Sequence, residues 1–279
     1  MDVPRTAAIR VVAATLLVTL TVALAGPASA TGTPQRRATV TLAALPASVD
    51  AGTTVVVKGT APKSAAVKVQ QRRGTSWTTI ATAKASTKGA WSARVRFATG
   101  GTSAVRAVVG TAASATRPVD VYQWLDLSRQ PFATSIGSAS GVTLTVNEQA
   151  FPRSLYSYGA RQALTMWALD RRCTDVVYGT GLRDSEYATS GRDETLTTQA
   201  AAYAPDNTLV AYPPQGTADW NSGAAEVRAG RLGRADRFIV AVNQSGSAEG
   251  NVSLPILTPR ARCKATGLRG IGFDEVPAF

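Results

Sequence analysis

Residues 163–184 read ALTMWALDRRCTDVVYGTGLRD. An apolar run, Ala163–Leu169, enters a polar turn at Asp170-Arg171-Arg172. A second run, Val176-Val177-Tyr178, leaves it and stops at Gly179-Thr180-Gly181. Short apolar runs bounded by charged and glycine punctuation, without a helical period, read as strands. The turn carries Cys173, one of only two cysteines, and the exit carries Arg183-Asp184. Core strands, a crosslink and a polar loop are therefore expected to meet in this stretch.

Working outward, the same pattern extends from residue 122 to about 265. Tyr122–Leu127 opens the region, and Val142, Leu144 and Val146 alternate ahead of an Asn147-Glu148-Gln149 turn. Phe151–Gly159 is rich in aromatics and reads as irregular. Further strands are predicted at 196–202, at 207–212 before Pro213-Pro214, around Val227, at 238–242 and at 252–257. An all-β region with loops of this length fits a jelly roll.

The order of these elements resembles the NPCBM family, the carbohydrate-binding-module-like jelly rolls. The resemblance rests on Leu125-Asp126-Leu127, on Val142–Val146 with its Asn147 turn, and on Phe151 with Leu155–Gly159. It continues through Cys173, Gly179–Glu186, Phe238–Val242 and Ala261-Arg262-Cys263. It implies a galactose-binding-like β-sandwich over 122–265 and a sugar-binding role. Two family features differ here. Tyr158 stands where members commonly carry a glycine-rich element with a histidine, and the motif before the last strand reads Asn251–Leu257.

Residues 37–121 show period-2 strands at shorter intervals. Trp91, Ala93, Val95 and Phe97 share one face, and Ser92, Arg94 and Arg96 share the other. About seven such strands in roughly 85 residues predict a β-sandwich. The words ALPASVDAGTTVVVKGTA, VKVQQRRGTSWTTIATAKASTKGAWSARV and AVRAVVG resemble a bacterial immunoglobulin-like repeat. That resemblance implies a spacer or adhesion unit. Trp77 and Trp91 are expected in the core rather than on a binding surface.

The first 30 residues read as a secretory signal peptide. Arg5 and Arg10 precede an apolar segment, Val11–Leu24, and Ala28-Ser29-Ala30 supplies the small-x-small cleavage pattern. Residues 31–36 form a linker, and 266–279 are left as a tail. The chain is thus expected outside the cell, with no membrane span. A cysteine pair in such a compartment predicts a Cys173–Cys263 disulfide.

Charge is uneven. The 279 residues carry 30 Lys/Arg against 18 Asp/Glu. Residues 37–121 hold 12 of the cations and only Asp50 and Asp120, whereas 122–279 hold 15 charges of each sign. The first module is therefore basic. Lys58, Lys68, Arg94 and Arg96 are the candidates for a stripe contacting anionic polymers, the alternative being a solvated face. No aromatics interleave with these cations, so specific nucleic-acid binding is not expected.

Histidine is absent. That excludes Ser-His-Asp and Cys-His catalysis and histidine-ligated metal sites. Carboxylate pairs remain, Asp184 with Glu186 or Asp193 with Glu194, as the glycosidase option. The same acids with nearby carbonyls leave a structural Ca²⁺ open. No other cofactor, metal centre or catalytic residue is predicted. Sugar recognition needs an aromatic face with planar polar groups beside it. Tyr156, Tyr158, Arg183, Asp184, Asp219, Trp220 and Asn221 are the predicted carbohydrate-binding residues, with Arg161, Tyr187 and Tyr212 as further candidates.

The sequence is therefore read as a secreted, non-catalytic carbohydrate-binding protein that recognises a cell-surface or environmental glycan. The alternative is a structural or adhesion protein that binds another protein or an anionic wall polymer without sugar specificity.

Overall fold

The computed structural model describes residues 39–158, 161–187, 195–219, 225–246 and 253–272, with the side chains of 186, 187 and 216–219 outside that set. The predicted signal peptide and linker lie outside the described residues. The described chain is all-β. No helix among these residues is long and apolar enough to cross a membrane.

The strands run β1 (Ser48–Asp50), β2 (Thr54–Thr60), β3 (Ala66–Arg73), β4 (Ser76–Lys84), β5 (Ala90–Arg96), β6 (Gly101–Val109), β7 (Ala112–Ala113) and β8 (Arg117–Asp126). After a 3₁₀ turn at Leu127–Arg129 come β9 (Ala133–Thr134), β10 (Ser138–Val146), β11 (Gln149–Ser157), β12 (Gln162–Ala168) and β13 (Cys173–Thr180). A four-residue helix, α1 (Asp184–Tyr187), leads to β14 (Thr195–Tyr203), β15 (Leu209–Ala211) and β16 (Gly216–Asp219). The last three are β17 (Glu226–Arg231), β18 (Arg237–Ser245) and β19 (Leu254–Cys263).

In the first module β2 and β5 pair as a two-stranded sheet over one core shared with β3, β6 and β8. The predicted alternation on β5 is observed: Trp91, Ala93 and Val95 are buried and their neighbours exposed. Gly59 makes this packing possible. A Cβ there would stand 2.7 Å from the Trp91 ring and 2.0 Å from the Thr41 carbonyl oxygen. The Val40–Leu42 segment forms no assigned strand. Its two apolar side chains are nevertheless buried, and Thr41 N donates to Thr60 O.

The second module packs two sheets over a larger core. One sheet has the order β15-β14-β18-β12-β9. The other brings together β8, β10, β11, β13, β17 and β19. Trp167 lies fully buried between them, stacked on Phe238 at 5.8 Å, with its Nε1 donating to Leu127 O at 3.0 Å. Truncating such a side chain costs about 3–5 kcal/mol.

The two runs of 163–184 are both strands, yet they do not pair with each other. β12 lies beside β18 and β9, whereas β13 lies beside β17 and β19. The polar turn carries the chain from one sheet to the other. Asp170 and Arg171 adopt positive φ, and Leu169 N, Asp170 N and Arg171 N donate to the carbonyls of Asp236 and Ala235. The predicted disulfide is present, Cys173 to Cys263, joining directly opposed residues of β13 and β19. Closing a loop of 90 residues is worth up to about 4–5 kcal/mol in chain-entropy terms.

Phe151–Ser157, read from sequence as irregular, is part of β11. Arg153 takes a left-handed φ of 57° there, and the register against β10 shifts between Val142 and Leu144. This bulge displaces the period-2 pattern that would have revealed the strand.

The expected boundary between residues 121 and 122 falls inside β8. Its first half pairs with β6 of the first module, Val121 opposite Gly101. Its second half pairs with β19 of the second, Asp126 opposite Arg260. The segment expected as a tail is docked as far as described: Leu268 N donates to Gln130 Oε1 at 3.0 Å.

Candidate functional site

The rim formed by the end of β11 and the loop after β13 gathers three of the predicted sugar-binding residues. Leu155 and Ser157 point into the module and are buried, which turns Tyr156 outward. Beyond the strand, Tyr158 N donates to Gly137 O at 3.2 Å. Its ring lies against Gly137, where a Cβ would stand 3.3 Å away. The Tyr156 and Tyr158 rings are 6.0 Å apart and tilted by 48°.

Arg183 completes the cluster. Its guanidinium sits 4.8 Å from the Tyr156 ring centroid, and Nη1 donates to Ser253 Oγ at 2.9 Å. A cation over an aromatic face contributes about 0.5–1 kcal/mol at such a site. Tyr158 remains 55% exposed. The result is an open Tyr158 ring next to Tyr156, with the Arg183 guanidinium held over Tyr156 by Ser253.

Asp184 is adjacent in sequence but serves another element. Its carboxylate accepts from Asn147 N at 2.6 Å and Glu148 N at 3.1 Å. These two residues form the β10–β11 turn, with φ of 49° and 64°. Both central residues at positive φ make a type I′ hairpin turn. Such a turn exposes amides that Asp184 satisfies, so its two oxygens are occupied by backbone.

Asp219 ends β16, paired with Thr195, and its side chain lies outside the described set. Trp220 and Asn221 lie outside the described residues, as do Asp193 and Glu194. The Glu186 and Tyr187 side chains are likewise outside. Arg161 donates to Gly246 O at 3.1 Å. Tyr212 is 67% exposed and follows β15, on the other sheet. Among the described residues no group of three or more His, Cys, Asp or Glu side chains gathers to hold a metal.

One exposed aromatic escaped the sequence reading. Trp124 lies outward on β8 at 47% exposure, with the Arg260 guanidinium 5.1 Å from its ring. It borders a groove of about 470 Å³ with Asp126, Pro152 and Arg153. The signal was present: Leu125 and Leu127 alternate inward, which places Tyr122, Trp124 and Asp126 on the opposite face.

The basic residues of the first module divide between two faces. Lys58, Arg94 and Arg96 are exposed on the β2–β5 sheet, while Lys68 is exposed on β3 across the core. They do not form one stripe.

No protein-family model matches the chain, and no curated protein matches it. Among solved structures, the CBM51-2 and INT domains of Clostridium perfringens ZmpB are similar at a TM-score of 0.39 and 10% identity, over 59% of this chain and 38% of that one. The CBM51 of Clostridium perfringens GH95 in complex with methyl-galactose gives 0.35 and 12%, over 50% and 99%. The tandem CBM51 modules of Sp3GH98, the family 98 glycoside hydrolase from Streptococcus pneumoniae SP3-BS71, give 0.39 and 8%, over 75% and 77%. The chain thus spans less than two fifths of the first of these structures.

Proposed function

We propose that this chain is a secreted, non-catalytic carbohydrate-binding protein, with an immunoglobulin-like first module and an NPCBM-like second module. The observation that carries the reading is the exposed Tyr158 ring, 6.0 Å from the Tyr156 ring, which in turn carries the Arg183 guanidinium. The apolar face of a pyranose packs on such a ring while its hydroxyls accept from planar N–H donors. The occupied carboxylate of Asp184 favours binding over hydrolysis, because a glycosidase needs a free nucleophile or base at that position. The basic first module adds attraction to anionic wall polymer, an effect that weakens as salt rises.

The test is retention of the full chain on a glycan array and on insoluble polysaccharides, compared with a Tyr158→Ala/Arg183→Ala variant. Retention by the wild type, reduced at least about tenfold in the variant, supports the reading; about 1.4 kcal/mol corresponds to that factor. Absence of retention on every glycan overturns it.

A further inference from the structure

The outer face of the β15-β14-β18-β12-β9 sheet carries a groove remote in character from the Tyr158 rim. Its volume is about 440 Å³, within the range of sites that hold small molecules. The floor is alkyl: Leu164, Ala201, Ile239 and Ala241. These residues come from β12, β14 and β18, whose opposite faces supply Trp167, Ala200 and Val240 to the core. Small side chains at 201 and 241 are what leave the hollow.

The walls carry three carboxamides, Gln162, Gln199 and Gln215, and two phenols, Tyr203 and Tyr212. Gln199 and Tyr203 lie four residues apart on β14, a span of about 13 Å along the strand. Among the described residues the three carboxamides hold no hydrogen-bond partner. Each carboxamide offers both donors and an acceptor, and the Tyr212 phenol offers one of each. Burial, and then the neighbouring Tyr212, push the Tyr203 phenol above its ordinary range, which keeps it neutral. Arg237, on the same face of β18, is turned away and donates to Ala204 O and Pro205 O. The described lining of the groove therefore carries no charged side chain, in a chain of net charge +12.

The wall formed by 212–215 is anchored from behind. Tyr178 Oη donates to Pro214 O. Pro213 and Pro214 lie against Gly230, where a Cβ would stand 2.7 Å from Pro213 Cβ. The position of Tyr212 and Gln215 is thus fixed before any ligand arrives, which lowers the entropy of ordering on binding.

We infer that this groove binds a short run of uncharged sugar residues, a second carbohydrate surface distinct from the Tyr158 rim. Among the described lining residues an anionic polymer would find no cation, and a cationic one no carboxylate. Neutral polyols present hydroxyls that both donate and accept, matched by carboxamides and phenols, and C–H faces matched by the alkyl floor and tyrosine rings. The inference rests on the carbohydrate-binding reading above and adds its place and the charge class of its ligand.

The experiment uses the full chain and a panel of neutral polysaccharides (galactomannan, xyloglucan, dextran, laminarin) with polygalacturonate as the anionic probe. A groove variant, Gln199→Ala/Tyr212→Ala, alters exposed side chains and is expected to keep the wild-type melting transition. It should lose at least about tenfold in affinity for a neutral polymer that the wild type retains. Gln215→Ala should weaken the same polymer on its own. If only the Tyr158→Ala/Arg183→Ala variant loses binding, the groove is not a sugar site, although the broader function stands. Wild-type retention on polygalacturonate alone overturns the groove inference. Retention on no polymer overturns both.

Discussion

Arg262 reaches Asp50 across 212 residues of sequence, with Nε and Nη2 each 2.7 Å from Asp50 Oδ1. The same guanidinium donates to Thr174 Oγ1 at 3.1 Å and lies 4.4 Å from the Tyr122 ring centroid. One side chain on β19 thereby ties the end of β1 to β8 and β13. Gln123 adds a second tie, its Oε1 accepting from Gly100 N and its Nε2 donating to Ala265 O. Gly100 has no room for a side chain, because a Cβ would stand 2.7 Å from Ala265 O. The two modules are thus joined by a shared strand and by specific polar contacts.

Arg262 acts as a hub, whereas Asp50 is half-exposed and holds only one spoke. Arg262→Ala should therefore destabilise the chain by about 1.5–3 kcal/mol, the range for charged hydrogen bonds. Asp50→Ala should cost less than about 1 kcal/mol, as exposed ion pairs do. Urea unfolding of the two single variants and the double variant measures this. Equal losses would show that the Asp50 pair alone carries the junction.

The second ion pair of the junction gives a pH signature. Burial pushes the Asp120 carboxyl up, but hydrogen bonds from Thr102 and Lys264 and the Lys264 charge outweigh it and hold the carboxyl below its ordinary 3.8. A carboxyl held low binds its proton more weakly in the folded chain than in the unfolded one. Its contribution is complete above the ordinary aspartate range and disappears as pH falls through the lower folded value. Lys264→Ala should flatten the acid side of the stability profile, read as the urea midpoint against pH. An unchanged acid limb would rule out this linkage.

Legibility in the sequence follows the range of each interaction. The faces of β5 were readable because alternation is local, and the disulfide because two cysteines leave one pairing. β11 was hidden by a single left-handed residue, Arg153. The partition of 163–184 between two sheets was not readable, since adjacency in sequence does not fix pairing partners. The role of Asp184 depends on amides 36 and 37 residues away. Gln199 and Tyr203 stand opposite Leu196, Ala200 and Ala202 on β14, so their outward position was implicit. Only the fold shows that β12, β18 and the segment after β15 supply the rest of that groove.

Asp184 is expected to act on stability before it acts on binding. Asp184→Ala leaves the amides of Asn147 and Glu148 without their acceptor in a turn that already holds two non-glycine residues at positive φ. Because these amides are exposed and water replaces the lost acceptor, the cost should be about 0.5–1.5 kcal/mol. Replacing Glu148 by Gly in the same background should recover part of it, because glycine adopts that conformation freely. Thermal melts of the single and double variants check both. A wild-type melt for Asp184→Ala would show that the turn does not depend on this carboxylate.

Tyr178 offers a probe of the anchor behind the sheet groove. Burial pushes its phenol from 10.0 up to about 12, against a small opposing effect of Arg228. A phenol held high stays neutral in the folded chain at a pH where it ionises in the unfolded one. Its contribution is therefore full below about pH 10 and lost as pH rises from there towards the folded value of about 12. Tyr178→Phe removes the hydroxyl that donates to Pro214 O, and should cost about 0.5–1.5 kcal/mol at neutral pH. It should also remove part of the alkaline loss, seen as a smaller fall in the urea midpoint between about pH 8 and about pH 11. Because Pro214 lies between Tyr212 and Gln215, the same variant should weaken binding of a neutral polysaccharide in the groove while leaving the Tyr158 rim unaffected. Identical alkaline profiles for Tyr178→Phe and the wild type would show that the hydroxyl neither titrates with unfolding nor anchors this loop.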